Sequence, residues 1–209
     1  MNLTISEISK LFPGHIQTYS GLLVDPLNMS REDINILDIS HSLALSNRWT
    51  GHSRRPISIA EHCITGAINL PIANGVALSF LLHDSPEAYL SDIPKPLKRL
   101  LPQISEAETK LHDLIDIMYF VDTRSEDVHK MDYQLLEFEW DNFVNISEDK
   151  YRILEQRNQE HPVAMKFLYL RMFTFLSNLR KIELKGIAID TSLTVIDYGF
   201  DVPKCFKRF

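Results

Sequence analysis

The chain has 209 residues, of which 44% are hydrophobic and 24% are charged, and its formal net charge is −6 with His neutral. This mix is typical of a globular protein, and a chain of this length can bury a core without disulfides or a structural metal. The acidic balance argues against a general nucleic-acid binder, which needs a basic face to neutralise phosphates. Without a long apolar run, a secretory signal or a CxxC pair, the sequence predicts a mostly α, reduced, cytoplasmic protein without a membrane span.

The first predicted elements lie in the N-terminal third of the chain. Residues 16–24 hold β-formers around a Ser-Gly pair, and this pattern predicts a short strand or hairpin. Residues 31–46 alternate apolar and polar side chains with helical spacing, which predicts an amphipathic helix. Ser58 and Glu61 then form a capping box, so a helix is expected over residues 59–70.

The middle of the chain is predicted to contain a buried helix followed by shorter elements. Residues 76–83 are apolar on nearly every side, as expected for a buried helix. Ser85-Pro86 reads as an N-cap with Pro at the first helical position, so a short helix should begin there. Residues 92–96, rich in Pro, predict a rigid loop, and Ser105 with Glu108 suggests another capping box at the start of the next helix.

Two further helices are predicted before an irregular end. Apolar spacing favours one helix over residues 126–143 and a long one over 162–184, and the segment 186–209 looks β-like or irregular. Because no repeat, low-complexity tract or linker interrupts the chain, we expect a single domain over residues 1–209.

Four residues stand out as candidate metal ligands. His83-Asp84 ends the buried apolar helix, where two polar side chains need partners. His62 precedes this pair by 83 − 62 = 21 residues, and Asp132 follows it by 132 − 84 = 48 residues, so different helices could converge on one point. Two imidazoles and two carboxylates suit a divalent first-row metal. Taken singly, each residue is more often a hydrogen-bonded core histidine, a helix cap or half of an ion pair.

The order His…His-Asp…Asp resembles the HD-domain metal-dependent phosphohydrolase superfamily over about residues 16–145. The likeness to its bacterial 5′-deoxynucleotidase branch lies in Asn47-Arg48-Trp49, in Ile59-Ala60-Glu61-His62, in residues 82–90 (LHDSPEAYL) and in residues 91–98 (SDIPKPLK). The upstream pattern is more similar to phage-type members, including dATP triphosphohydrolases, at Ser20-Gly21, Asp25-Pro26, Asp38-Ile39-Ser40 and residues 48–52 (RWTGH). Residues 160–209, the C-terminal helix and tail, carry no such likeness.

The resemblance implies an HD-domain helical bundle with a short N-terminal β element and one divalent metal ion. The implied ligands are His62, His83, Asp84 and Asp132. Such ligands accept Mn, Co, Zn, Mg or Fe, so the sequence does not name the metal.

The resemblance also gives Glu87 the role of activating or orienting the attacking water, since it follows Asp84 by three residues. Asp92 would be a second acidic helper for the leaving group, and a cap or turn residue beside the Pro-rich loop is an equal alternative.

A substrate-binding set is expected in the loops beside these residues. Arg48 can fork two hydrogen bonds onto a phosphate, Lys98 adds a point charge, and His52 could also reach a phosphate. Trp49 could stack on a base or sugar, although a partly buried core aromatic is its alternative interpretation.

Several other polar or reactive residues have simpler interpretations. Arg54 and Arg55 are expected to lie in a solvated loop, and Cys63 is expected to pack in the core. A surface or core role is expected for His112 and His129 rather than a second metal site, and a helix face is expected for Glu137 and Glu139. Tyr89 is expected either to line the pocket or to pack.

The resemblance therefore implies a phosphohydrolase of deoxynucleotides in which water attacks the phosphorus nearest the sugar. A triphosphate substrate such as dATP is favoured, with 5′-deoxynucleotidase action on a monophosphate as the alternative. A non-catalytic nucleotide sensor is the alternative from another class, and a nuclease or a hydrolase of signalling nucleotides on the same scaffold is a further alternative. Its partners are expected to be a small deoxynucleotide and further copies of itself, with no stable nucleic-acid partner, in a bacterial or phage-infected cytoplasm.

Overall fold

The computed structural model describes residues 4–145, 147, 161–202 and 206, and it confirms a mostly α protein with a short N-terminal β element. The β element is a hairpin of β1 (Ile16–Gln17) and β2 (Leu23–Val24). The two strands pair antiparallel, with Ile16 opposite Val24 and Gln17 opposite Leu23. Cys205 and most of the tail after residue 202 lie outside the described residues.

Helices make up most of the remaining described chain. They are α1 (Ile5–Leu11), α2 (Ile36–Leu45), α3 (Ile59–Asn69), α4 (Val76–Leu82), α5 (Glu87–Leu90), α6 (Lys95–Lys98), α7 (Pro102–Tyr119), α8 (Glu126–Glu139) and α9 (Pro162–Glu183). Short 3-10 turns occur at Arg31–Asp33, Arg48–Gly51 and Ala73–Gly75, and a π turn, Trp140–Val144, continues α8.

Helix caps decide several boundaries. The Ser58 hydroxyl accepts a hydrogen bond from the Glu61 amide at 3.0 Å, which confirms the predicted start of α3. The predicted helix over 31–46 is instead a 3-10 turn followed by α2. Here Ile34 and Asn35 adopt extended backbone, and the Asn35 side chain caps α2 at the Leu37 amide.

Three other local predictions are wrong. Helix α7 begins at Pro102 rather than after Ser105, because proline fits the first helical turn, which needs no donor from it. Ser85 makes no cap hydrogen bond to α5. The rigid loop predicted over residues 92–96 is shorter than expected, because residues from Lys95 onward form the single helical turn α6.

A continuous apolar core surrounds α3 and α4, and α9 packs on α2, α3 and α4. Helices α3 and α4 approach closely at Gly66, where a β-carbon would overlap the Phe80 ring. The C-terminal helix also supports the end of α4, because the buried Tyr169 hydroxyl donates to the Leu81 carbonyl at 2.6 Å. This packing fixes the helix end that carries His83 and Asp84.

The segment after α9 is irregular as far as it is described, with an isolated bridge between Pro71 and Thr194. Within the described residues, no helix combines the length and apolar character that crossing a bilayer requires.

Candidate metal centre

The structure brings the four predicted metal ligands together at one end of α3 and α4. His62 lies on α3, His83 and Asp84 directly follow α4, and Asp132 lies on α8. Nε2 of His62 is 3.2 Å from Oδ1 of Asp132 and 3.8 Å from Oδ2 of Asp84. Nε2 of His83 is 3.2 Å from Oδ1 of Asp84 and 3.8 Å from Oδ1 of Asp132. His62, His83 and Asp132 each present a ligand atom within 4.8 Å of the others.

The outer nitrogens of the two histidines fix which lone pairs face the centre. Nδ1 of His62 contacts a Glu139 carboxylate oxygen at 2.8 Å, and Nδ1 of His83 contacts the Phe80 carbonyl at 2.6 Å. Because both partners are acceptors, each neutral ring carries its proton on Nδ1 and turns an Nε2 lone pair inward. Both Nε2 atoms are buried and have no hydrogen-bond partner.

The resulting donor set fits a divalent cation. Inward lone pairs on two imidazoles face two carboxylates at 3.2 to 3.8 Å, and acceptors this close repel one another unless a positive charge lies between them. The buried His and Asp side chains could therefore hold a metal ion.

Glu139 is a buried carboxylate directly behind the ligands. It contacts Nδ1 of His62 and also accepts hydrogen bonds from Nε of Arg48 and Nε1 of Trp49, both at 2.9 Å. Although burial opposes ionisation, His62 and Arg48 lower the pKa of Glu139 to about 2. The prediction that Glu139 belongs only to a helix face is wrong, since it is 4% exposed. Its spacing from Asp132, 139 − 132 = 7 residues or about two helical turns, was the available signal.

Glu87 and Asp92 lie close enough to Asp84 for its charge to act on both carboxyls. The Glu87 carboxyl has a buried oxygen without a hydrogen-bond partner, and burial together with the charges of Asp84 and Asp92 raises its pKa well above the ordinary value. Burial likewise raises the pKa of Asp92, against the opposing charge of Arg48. Ser91 holds φ 69° and ψ 158°, a conformation that only glycine adopts readily, and this turn leads the chain into Asp92.

The predicted substrate residues differ in how close they come to this centre. Arg48 is buried and its Nη1 contacts Oδ2 of Asp84 at 3.3 Å, while Trp49 is joined to the same site through its hydrogen bond to Glu139. Lys98 pairs with Glu108 on α7 at 2.6 Å, near enough to Glu87 and Asp92 for its charge to act on both. His52 is exposed, and within the described residues no contact joins its ring to the ligands.

The remaining candidates mostly have structural partners. Arg55 pairs with both carboxylate oxygens of Glu61, at 3.0 and 2.6 Å, and covers the Phe143 ring. His112 contacts the Thr123 hydroxyl at 2.9 Å, and His129 is exposed. Of the clusters found among the described residues, none contains either histidine, so nothing there supports a second metal site built on them.

Cys63 was expected to pack in the core, and Tyr89 was expected either to line the substrate pocket or to pack. Cys63 is fully buried as predicted, but its thiol lies within 4.8 Å of ligand atoms of His83 and Asp84. The Tyr89 hydroxyl accepts from the Asn35 amide at 3.1 Å. Its ring borders a pocket of about 380 Å³ between the hairpin and α2, which none of the four ligands lines.

Comparison with known proteins yields partial matches and no function. No protein-family profile matches the chain. It is 38% identical over 104 residues to the uncharacterized Escherichia coli K12 protein YfdR, covering 50% of this chain and 57% of that one. It is 37% identical over 86 residues to an uncharacterized Rhodobacter capsulatus protein, covering 38% of this chain and 44% of the other. The chain thus spans about half the length of the curated relatives it matches.

Proposed function

We propose that the chain is a divalent-metal-dependent phosphohydrolase of deoxynucleotides and a member of the HD-domain superfamily that its sequence resembles. The observation that supports this best is the pair of buried, unpartnered Nε2 atoms of His62 and His83, which face the carboxylates of Asp84 and Asp132. A purely structural core would have satisfied these nitrogens with hydrogen bonds.

The metal would be held by His62, His83, Asp84 and Asp132, and Mn, Co, Zn, Mg and Fe all suit this mixed N/O set. When bound, such an ion lowers the pKa of a coordinated water and polarises a phosphoryl oxygen.

The acidic residues beside the ligands supply the proton transfers in this proposal. Water attacks the phosphorus nearest the sugar, and Glu87, whose carboxyl oxygen is buried without a partner, takes the proton that the water loses. The bond from that phosphorus to the 5′ oxygen breaks, and Asp92 gives the leaving oxygen its proton.

Phosphate and base recognition are assigned to the loops around this centre. Lys98 lies where its charge acts on Glu87 and Asp92, so it is assigned as the cation that binds a substrate phosphate beside these acids. Trp49 offers a partly exposed ring for the base or sugar. The sequence pattern upstream favours a triphosphate, with dATP as the named candidate and triphosphate plus deoxynucleoside as products.

A product assay tests the proposal directly. The purified chain is incubated with each dNTP and each dNMP in Mn²⁺, Co²⁺, Mg²⁺ and Zn²⁺ separately, and the released phosphate species is identified. We expect triphosphate from dNTPs, and loss of that activity in Asp84→Ala but not in Asp141→Asn, an exposed carboxylate beyond α8. Orthophosphate from monophosphates alone would indicate a 5′-deoxynucleotidase. Nucleotide binding without product under every metal would replace the enzyme with a sensor.

Two further proposals concern setting and assembly. The enzyme is proposed to act in the cytoplasm and as a homo-oligomer, with no stable nucleic-acid partner. Sedimentation of the metal-loaded chain tests the assembly, and a monomer at micromolar concentration would contradict it.

A further inference from the structure

One carboxylate joins two parts of the site that lie far apart in the sequence. Glu139 contacts His62 on α3 through one oxygen, and it holds Arg48 and Trp49 through the other. The sequence separations are 139 − 62 = 77 and 139 − 48 = 91 residues, so this junction exists only in the folded chain. A metal ligand and the loop proposed to face the substrate therefore share a single anion.

The loop held in this way has an unfavourable backbone. Trp49 and Thr50 have φ of 59° and 51°, the left-handed region that bulky and β-branched residues rarely adopt. Such a conformation persists only when surrounding contacts over-determine it. Those contacts include the Glu139 hydrogen bonds and the pairing of the Arg48 amide with the Ile57 carbonyl at 2.8 Å.

The same carboxylate also sets the orientation of a metal ligand. A histidine that binds a metal through Nε2 becomes a stronger donor at Nδ1, and a carboxylate at that position fixes the ring and its tautomer. In this chain, Nδ1 of His62 contacts one oxygen of Glu139, and the other oxygen of Glu139 accepts hydrogen bonds from Arg48 and Trp49. Hydrogen bonds that share one acceptor group polarise one another.

We propose that Glu139 is a positioning residue that couples occupancy of the metal centre to the placement of Arg48 and Trp49. The statement about substrate rests on the proposed function, whereas the coupling of metal to loop does not. By linkage, a metal ion that orders the loop favours nucleotide binding, and a bound nucleotide tightens metal binding by the same factor.

Intrinsic fluorescence gives a direct readout, because the chain has two tryptophans, Trp49 and Trp140, with ring centroids 5.8 Å apart. Titration with Zn²⁺ or Mg²⁺, closed-shell ions, should change this emission with the same midpoint as calorimetric binding. In Glu139→Gln, we expect the metal Kd to rise about 10–100-fold and the emission change to disappear at saturation. Glu137→Gln, an exposed position on the same helix, should behave like the wild type.

A second variant addresses folding and the nucleotide arm. Trp49→Phe keeps an aromatic ring but removes the Nε1 donor, so the metal should still bind while Trp140 emission responds less. In the Glu87→Gln background, which preserves substrate, dATP should tighten metal binding at least fivefold with Glu139 intact, and about onefold in Glu139→Gln.

The outcomes separate the two proposals. An unchanged metal Kd together with an unchanged emission response in Glu139→Gln would overturn the coupling, as would a silent wild-type emission at metal saturation. If Glu139→Gln does not fold, a full Trp140 response in Trp49→Phe overturns it instead. Absence of nucleotide binding with the metal response intact would overturn the proposed substrate and leave the coupling supported.

Discussion

The ligand cluster and the loops around it are built differently. His62 and Asp132 lie within regular helices and His83 follows one directly, with both imidazoles buried in a continuous core. Arg48, Trp49 and Lys98 lie on single turns or left-handed backbone and are held by side-chain contacts. Helix packing thus positions the candidate metal ligands, whereas ion pairs and hydrogen bonds position the residues proposed to bind the substrate. Substitutions in the ligand cluster should consequently reduce metal affinity and turnover, whereas substitutions in the loops should reduce stability or substrate affinity.

The largest effect is expected from removing a ligand on α8. Asp132→Asn keeps the size of the side chain but weakens its donor oxygen, so metal affinity and turnover should each fall by more than ~100-fold. This loss exceeds the ~10–100-fold that is usual when a residue hydrogen-bonded to a metal ligand is replaced. Calorimetry with Mn²⁺ and the product assay measure the two quantities. Asp141→Asn is the matched control, and full activity in Asp132→Asn would remove this residue from the ligand set.

On the loop side, a comparable effect should appear in stability. Arg48→Met leaves the buried carboxylate of Glu139 and the partly buried carboxylate of Asp84 without their cation, and breaking a buried pair costs about 3–5 kcal/mol. Urea unfolding in chelator gives the free energy of unfolding without contribution from a metal. Arg54→Met, an exposed arginine of the same loop, should change it by less than ~0.5 kcal/mol. Equal losses in both variants would show that Arg48 does not act through these partners.

These two regions also differ in how far the sequence predicted them. The four candidate ligands were predicted because their order carries a family resemblance and because polar residues ending an apolar helix demand a partner. Glu139 was missed although it follows Asp132 by two helical turns, because its three donors come from residues 77 to 91 positions earlier. Local spacing finds a helix face, but only the tertiary fold decides which face is buried.

The same limit applies to the elements. Ser58 was a correct N-cap because its hydroxyl meets the amide three residues later, whereas Ser105 was not, because Pro102 starts α7 a turn earlier. The π turn after α8 had no sequence signal that we recognise. Helix α9 was predicted nearly to the residue, yet its support of α4 through Tyr169 was not.

Helix packing beneath the ligands should be sensitive to one methyl group. Gly66→Ala forces the Phe80 ring, whose centroid is 4.3 Å from that of His83, away from α3. Overpacking of this kind costs typically about 1–3 kcal/mol, measurable by urea unfolding. A double variant with Phe80→Leu makes room, so it should be more stable than the sum of the two single changes predicts. Simple additivity would refute the overlap.

Acid should weaken the fold through His112. Burial lowers its pKa to about 4 from an ordinary 6.5, so the unfolded chain binds the proton first. Stability from this group is present above pH 6.5 and is lost as pH falls toward 4, with a contribution on the order of 3 kcal/mol. The free energy of unfolding should decline less between pH 7 and pH 4.5 in His112→Gln than in the wild type. His129→Gln, at an exposed site, should leave the decline unchanged.

The smallest effect is expected at Lys98, where an effect on substrate binding is most clearly separated from an effect on the chemical step. Its amine is bound to Glu108 at 2.6 Å and is partly exposed, so a nucleotide phosphate must compete with that carboxylate for the same cation. Lys98→Gln should therefore raise KM about tenfold, or ~1.4 kcal/mol, with kcat nearly unchanged. Glu108→Gln should lower KM by releasing the amine, and Lys95→Gln, on the exposed side of α6, should have little effect. If kcat fell instead, Lys98 would act in the chemical step. The proposed separation, with buried helices holding the metal ligands and loop contacts holding the substrate-binding residues, would then be wrong.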